Sequence, residues 1–223
     1  MCGRYTITID AESAQSDMGV SEMPEGYQPR FNVAPSQPVA VVADAAGRKA
    51  EWMRWGLIPS WAKDATIGSR LINARSETLI EKPSFRNAFA KRRCLVLADG
   101  FYEWQKGGAK GGRSQPYYFK RADGKPFAFA GLWEFWRSPE GEPVRSCTII
   151  TTEANGVVKP VHERMPVMLS GDALWGWLED QPQQYLLSLL RPYPADEMTA
   201  FPVSPMVNKP ELDVPDLIQP VAA

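Results

Sequence analysis

Twenty prolines are spread through the 223 residues, and they constrain the fold more than any other feature. Each proline fixes φ and removes a backbone N–H, so it ends helices and is kept out of central strands. Short elements joined by many turns follow, and a coiled coil or a bundle of long helices does not. No internal repeat supports a solenoid, and 44% hydrophobic with 23% charged residues excludes a disordered chain. A chain of this length folds to a surface of about 10,000 Å², against about 36,000 Å² when extended, so a core can form without disulfides or metal. A single domain over residues 1–223 is expected.

The longest apolar runs, Val39–Ala43 and Phe127–Trp133, are strand-sized and far short of the roughly 20 residues that span a bilayer. The start of the chain, MCGRYTITID, has no apolar stretch of the signal-peptide kind, so no membrane anchor at Cys2 is expected. Cys2, Cys94 and Cys147 are odd in number and widely spaced, which points to free thiols and a reducing cytoplasm. With one histidine, His162, and no paired-cysteine motif, a multi-histidine or zinc-ribbon site has no ligands, and neither metal nor cofactor is expected. Acid–base chemistry must then draw on His162, carboxylates, a thiol or the α-amine.

The formal net charge of −1 hides a polarised distribution. Residues 82–125 carry 11 basic side chains against Asp99, Glu103 and Asp123, while residues 126–223 carry 6 against 13 acidic ones. Such a segment can bind a polyanion on one face, or can simply be a solvated helix and a lysine-rich loop.

β-branched and alternating runs predict strands near Tyr5–Ile9, Val39–Ala43, Glu51–Trp55, Cys94–Leu97, Phe101–Gln105, Pro116–Lys120, Phe127–Leu132, Ser146–Thr152 and Val167–Leu169. The Asp99-Gly100 and Asp123-Gly124 dipeptides predict hairpin turns, and the glycine-rich stretch 107–115 a flexible loop. Helices are predicted at Ser84–Arg93, capped by Ser84, at Ser170–Leu178, capped by Ser170, and at Gln183–Leu190. Without regular β-α-β alternation the fold class is α+β: one strand-rich, barrel-like domain of mixed and antiparallel sheets flanked by a few short helices.

Cys2 carries the most chemistry. Removal of the initiator methionine would leave an α-amine and a thiol on adjacent carbons, with ordinary pKa values of about 7.7–8.0 and 8.5. Such a 1,2-aminothiol reacts with an aldehyde through a Schiff base that the thiol then closes to a thiazolidine, the second step being intramolecular. Gly3 has no Cβ and lets a substrate backbone approach. Position alone would equally describe an accidental cysteine on a frayed end.

Six segments occur in order: MCGRY at the start, RFNVAPSQ (30–37), WGLIPSWAK (55–63), LINARSET (71–78), ADGFYEW (98–104) and VHERMP (161–166). Together they closely resemble the SRAP family, the SOS-response-associated peptidase domain that shields abasic sites in single-stranded DNA, over essentially the whole chain. The resemblance implies that mature Cys2 attacks the ring-opened aldehyde of an abasic deoxyribose, giving a stable crosslink. It further implies that Asn73, Glu103 and His162 complete the active site. Asn73 would hold the amine or a sugar oxygen; in isolation it reads as a turn cap. Glu103, among Phe101, Tyr102 and Trp104, would be desolvated and suited to shuttle protons, or else be a rim carboxylate. His162 would promote opening of the sugar ring, although a lone histidine often has a structural role.

Arg4, Arg75 and Arg164 would pair with phosphates, guanidinium being suited to bidentate recognition. Trp61 would stack on a base or wedge the strand, unless it joins Trp52, Trp55, Trp104 and Trp133 in a core. Ala62 stands where some relatives carry a second aromatic. Pro35 and Thr151 match positions lining the family's site, while Cys94 and Cys147 read as buried, inert thiols.

The expected partner is therefore single-stranded DNA containing abasic sites, junctions with duplex included, bound by a cytoplasmic monomer that associates with the nucleoid. Lyase-type activity and autoproteolytic removal of Met1 belong to the same expectation. Two alternatives differ in class: an N-terminal-nucleophile cysteine peptidase, and a non-covalent single-strand-binding module.

Overall fold

The computed structural model describes residues 2–107 and 114–221. In chain order its strands are β1 (Tyr5–Ile7), β2 (Arg30–Val33), β3 (Pro38–Val42), β4 (Ala50–Trp55), β5 (Asn73–Arg75), β6 (Arg93–Ala98) and β7 (Gly100–Gln105). They continue as β8 (Gln115–Arg121), β9 (Phe127–Arg137), β10 (Pro143–Glu153), β11 (Arg164–Pro166), β12 (Met168–Leu169) and β13 (Met198–Pro202). The α-helices are short: α1 (Ala11–Met18), α2 (Arg86–Lys91), α3 (Asp172–Leu178) and α4 (Gln183–Ser188).

Five strands close on themselves in the order β10, β4, β3, β6, β9 and back to β10. The β4–β10 contact is parallel and the other four are antiparallel, so the expected barrel-like, mixed α+β architecture is what forms. Closure removes exposed strand edges from the middle of the molecule. β5 and β11 extend one end of β10, and β12 extends β9. A second, antiparallel sheet runs β13-β8-β7-β1-β2.

Aromatic rings join the two sheets. Tyr5 meets Trp55 and Phe129 edge-on at 5.4 and 5.5 Å, and Phe101 stacks on Phe119 at 5.0 Å while meeting Phe129 at 6.3 Å. All are buried, and each such ring contributes about 1.5–3 kcal/mol through burial alone. α3 covers the barrel, its Trp177 Nε1–H donating to the Cys94 carbonyl at 3.0 Å. Cys94 and Cys147 are free and buried, as expected.

Neither turn dipeptide makes a hairpin. β6 and β7 flank Asp99 but lie in different sheets, and so do β8 and β9 on either side of Asp123-Gly124. At the first corner the Asp99 carboxylate accepts from Thr6 Oγ1, the Thr8 N–H and Thr8 Oγ1, each at 2.5 Å, which ties the corner to β1 instead of to a partner of β6. Gly100 passes directly under a ring: a Cβ there would sit 2.1 Å from the Tyr118 hydroxyl. Two helix starts also differ. Ser84 and Ser170 do not cap; Phe85 and Gly171 occupy those positions without side-chain bonds, and the Ser170 hydroxyl is 3.1 Å from the Tyr193 hydroxyl instead. Trp52, expected inside, is 38% exposed and stacks on Tyr27. Residues 108–113 of the glycine-rich stretch lie outside the described residues.

Candidate functional site

The register of β1 against β7 sets the site. Tyr5 pairs with Phe101, and the Tyr102 N–H donates to the Arg4 carbonyl at 3.0 Å, so the chain before Tyr5 runs alongside Glu103 and Trp104. Cys2 is fully buried there, its Sγ 4.0 Å from the Arg4 carbonyl. Burial, reinforced by the nearby Glu103 carboxylate, pushes the thiol well above its ordinary value. With Met1 in place this environment favours the neutral thiol over the thiolate.

Glu103 is 2% exposed and is no rim carboxylate. Burial raises its pKa, a protonated His162 opposes that rise, and the Glu103 carboxylate in turn raises the Cys2 thiol. His162 sits on a turn whose backbone returns its N–H to the Val158 carbonyl at 2.9 Å. Its Nδ1 lies 3.0 Å from the Arg164 N–H. An amide can only donate, so in the neutral ring Nδ1 accepts and the proton sits on Nε2. When protonated, the ring has the Arg164 carbonyl 3.2 Å from Nδ1 to receive the new proton.

β5 and β11 bring the other residues to this end of β10. Asn73 pairs with Ile149, Arg75 with Thr151, and Thr151 with Pro166. Asn73 is part of a strand and does not cap a turn; its side-chain nitrogen and oxygen are both buried with no hydrogen-bond partner among the described residues. A buried amide in that state can take both a donor and an acceptor from a substrate. Thr151 is buried, and its carbonyl accepts from Arg164 Nη2 at 2.7 Å.

The three arginines differ. Arg75 is exposed and makes no ion pair among the described residues. Arg164 is engaged by Glu77, whose two oxygens lie 2.5 and 3.0 Å from its guanidinium nitrogens, and this pairing holds the Glu77 carboxyl below its usual range. Arg4 is half-buried, with Nη1 donating to Asn32 Oδ1 at 2.7 Å and to the Val207 carbonyl at 2.6 Å, and burial lowers its pKa. Asn32 in turn donates to the carbonyls of Lys209 and Leu212, so a segment near residue 210 is strapped against β2 beside the site.

Trp61 is 58% exposed, not in the core, on a loop with firm anchors: Trp136 Nε1–H donates to the Ala62 carbonyl and the Ile58 N–H to Ser146 Oγ, both at 2.8 Å. Pro35 lies in the turn between β2 and β3, where the Ser36 N–H donates to the Trp55 carbonyl at 2.8 Å. The basic segment is less available than its charge suggests, since Arg92 pairs with Glu134 and Arg93 donates to the carbonyls of Trp177, Phe89 and Glu179. A cleft of about 440 Å³ opens beside His162, lined also by Trp104, Gln105, Lys106 and Lys159. Among the described residues no cluster of three metal-ligating side chains occurs, and no helix is long and apolar enough to cross a membrane.

A family model described as SOS response associated peptidase (SRAP) matches residues 1–210. The chain belongs to the SRAP family. The abasic site processing protein YoqW of Bacillus subtilis is 44% identical to this SRAP chain over 98% of its length and 99% of the relative. The abasic site processing protein HMCES of Gallus gallus is 34% identical, covering 99% of this chain and 78% of the relative. Among solved structures, a protein from Bordetella bronchiseptica superposes with a TM-score of 0.76 at 31% identity, over 91% of this chain and all of the other. A Bacteroides thetaiotaomicron protein shares the fold, with a TM-score of 0.88 at 24% identity, over 99% of this chain and all of the other. Glu77 and Asn32 escaped the sequence reading of this SRAP chain, because Glu77 acts on Arg164, 87 residues away, and Asn32 on carbonyls 177 and 180 residues away.

Proposed function

We propose that this protein recognises abasic sites in single-stranded DNA and captures them covalently through Cys2 once Met1 is removed. The observation that carries the reading is the register that seats the fully buried Cys2 alongside Glu103, a carboxylate only 2% exposed whose pKa burial raises. The freed α-amine attacks the aldehyde carbon of the ring-opened sugar, and the carbinolamine loses one water to give an imine. The thiol then adds to the imine carbon, closing the thiazolidine, while its proton passes to the imine nitrogen.

Each neighbour has a part in this scheme. A protonated Glu103 donates to the departing water, and its carboxylate then accepts the proton of a thiol that is not acidic by itself. Neutral His162 presents Nε2–H to the sugar oxygen during ring opening. Asn73 supplies its donor and its acceptor to the amine and the sugar. Arg75 takes the adjacent phosphate, Trp61 stacks on a flanking base, and Pro35, Gly3 and Thr151 shape the walls. Arg164 and Arg4, already engaged, would reach phosphates only by exchanging a present partner. Self-cleavage of Met1 and lyase-type release of the DNA are finer activities of the same residues.

The test is to incubate full-length protein with an abasic oligonucleotide. The reading expects a denaturation-resistant adduct whose mass is the sum of its parts less one water, and none when a residue precedes Cys2. A robust adduct from a blocked N-terminus would refute it, and a cleaved peptide without adduct would restore the peptidase alternative.

A further inference from the structure

We propose that Asn155 is a positioning residue for His162, fixing the imidazole through the turn that carries it. This rests on the functional reading above, in which His162 acts on the sugar.

Asn155 follows β10 and bonds in two directions. Toward the turn, Oδ1 accepts the N–H groups of Val157 and Val158 at 3.1 and 3.0 Å, and its carbonyl accepts the Lys159 N–H at 2.9 Å. The Val158 carbonyl, oriented by that contact, accepts the N–H groups of Val161 and His162, both at 2.9 Å. The turn closes when the Ala154 N–H donates to the Glu163 carbonyl at 3.0 Å. Toward the core, Nδ2 donates to the Tyr193 carbonyl at 2.7 Å and lies 3.1 Å from Met198 Sδ, both residues being buried. The side chain thus links the packed core to the turn, and Val158, fully buried, fixes the turn's depth. Losing Oδ1 frees two N–H groups at the base of the turn, five and four residues before the imidazole.

The acceptor and the donor have separable consequences. Asn155→Ala should lower the crosslinking rate at saturating abasic DNA by about tenfold to a hundredfold, the cost of roughly an ångström of misplacement, with Kd for intact single strands within about twofold of the parent. Asn155→Asp keeps oxygens for both N–H groups and should recover most of the rate, although it opposes the Tyr193 carbonyl and melts lower. Because Asn155 acts through His162, Asn155→Ala added to His162→Ala should slow crosslinking no further. Should the alanine variant fail to fold by circular dichroism, Asn155→Leu, similar in size and without an acceptor, carries the same cycle. The inference is overturned if the alanine or leucine variant crosslinks at the parental rate, if Asp is as slow as Ala, or if the double variant is slower than His162→Ala. A parent that forms no adduct refutes the functional reading itself, a result distinct from any of these.

Discussion

Gly100→Ala tests the corner that aims β7, and with it Glu103. An added Cβ would lie 2.1, 2.3 and 2.5 Å from the hydroxyl oxygen, Cζ and Cε2 of Tyr118. Tyr118 has nowhere to go: it is 3% exposed, packed against Tyr102 and Phe201, and its hydroxyl is 2.8 Å from Thr6 Oγ1. Overpacking of this kind costs about 1–3 kcal/mol. Displacing the ring also breaks the Thr6 contact, worth about 1 kcal/mol. Together these make about 2–4 kcal/mol, or a fall in Tm of roughly 5–15 °C for a domain of this size. Tyr118→Phe should not rescue the variant, since two ring carbons still clash after the oxygen is gone, whereas Tyr118→Val should recover part of the loss. The assay is urea unfolding followed by tryptophan fluorescence, with Gly156→Ala as the control, because nothing lies within 4 Å of a Cβ at position 156. A Gly100→Ala variant within about 0.5 kcal/mol of the parent, the usual spread for innocuous surface changes, would refute the close-approach argument.

Glu103→Gln should slow crosslinking by about a hundredfold or more, the ordinary scale of lost general acid–base help, yet raise stability near neutral pH. The sign follows from a folded pKa raised by burial: Glu103 favours folding fully below the ordinary glutamate value of about 4.3, and this is lost as pH rises through the folded value. Melting curves of parent and variant should therefore coincide in acid and separate above it, with the variant higher; a parent that melts higher at pH 8 would contradict this. Arg75→Ala should lower the slope of log affinity against log salt by about 0.7, one single-strand phosphate contact, while Arg4→Ala should leave the slope nearly intact and reduce Tm by releasing Asn32 and the Val207 carbonyl. Equal slopes for parent and Arg75→Ala would move the phosphate path elsewhere.

The strands were legible wherever apolar runs were long enough to be buried on both faces, as in β6, β9 and β10. They were not legible where three to five residues pair only because a neighbour is already in place: β2 contains Asn32, β5 is Asn73–Arg75, and neither alternates cleanly. α1 was hidden because only Ala14 and Met18 of its residues are buried, too little to mark an apolar stripe. The Asp-Gly corners show the limit of a local signal, which reports a reversal of the chain but not which sheet the next strand joins. In the site, residue types alone left Cys2 and Glu103 open, and it was the six ordered motifs that singled them out; the burial of Glu103 expected from its aromatic neighbours is what the fold shows. The occupancy of Arg164 by Glu77 and of Arg4 by the Val207 carbonyl could not, since both depend on partners that tertiary folding supplies.

The strap across β2 also gives the site a history. Arg4 and the Val207 carbonyl that receives it are 203 residues apart, and the Asn32 amide reaches residues 209 and 212. At about 5–20 residues per second, a ribosome needs roughly 10–40 s between making the two ends of that bond. Pairings so distant in sequence also place the chain among slow, millisecond-to-second folders. Throughout synthesis the beginning of the chain waits without Glu103, then without His162, and finally without the strap. If Met1 is removed co-translationally, the proposed function implies an aminothiol most accessible to stray aldehydes before Glu103 and His162 are in place, and enclosed only as the fold closes over Cys2.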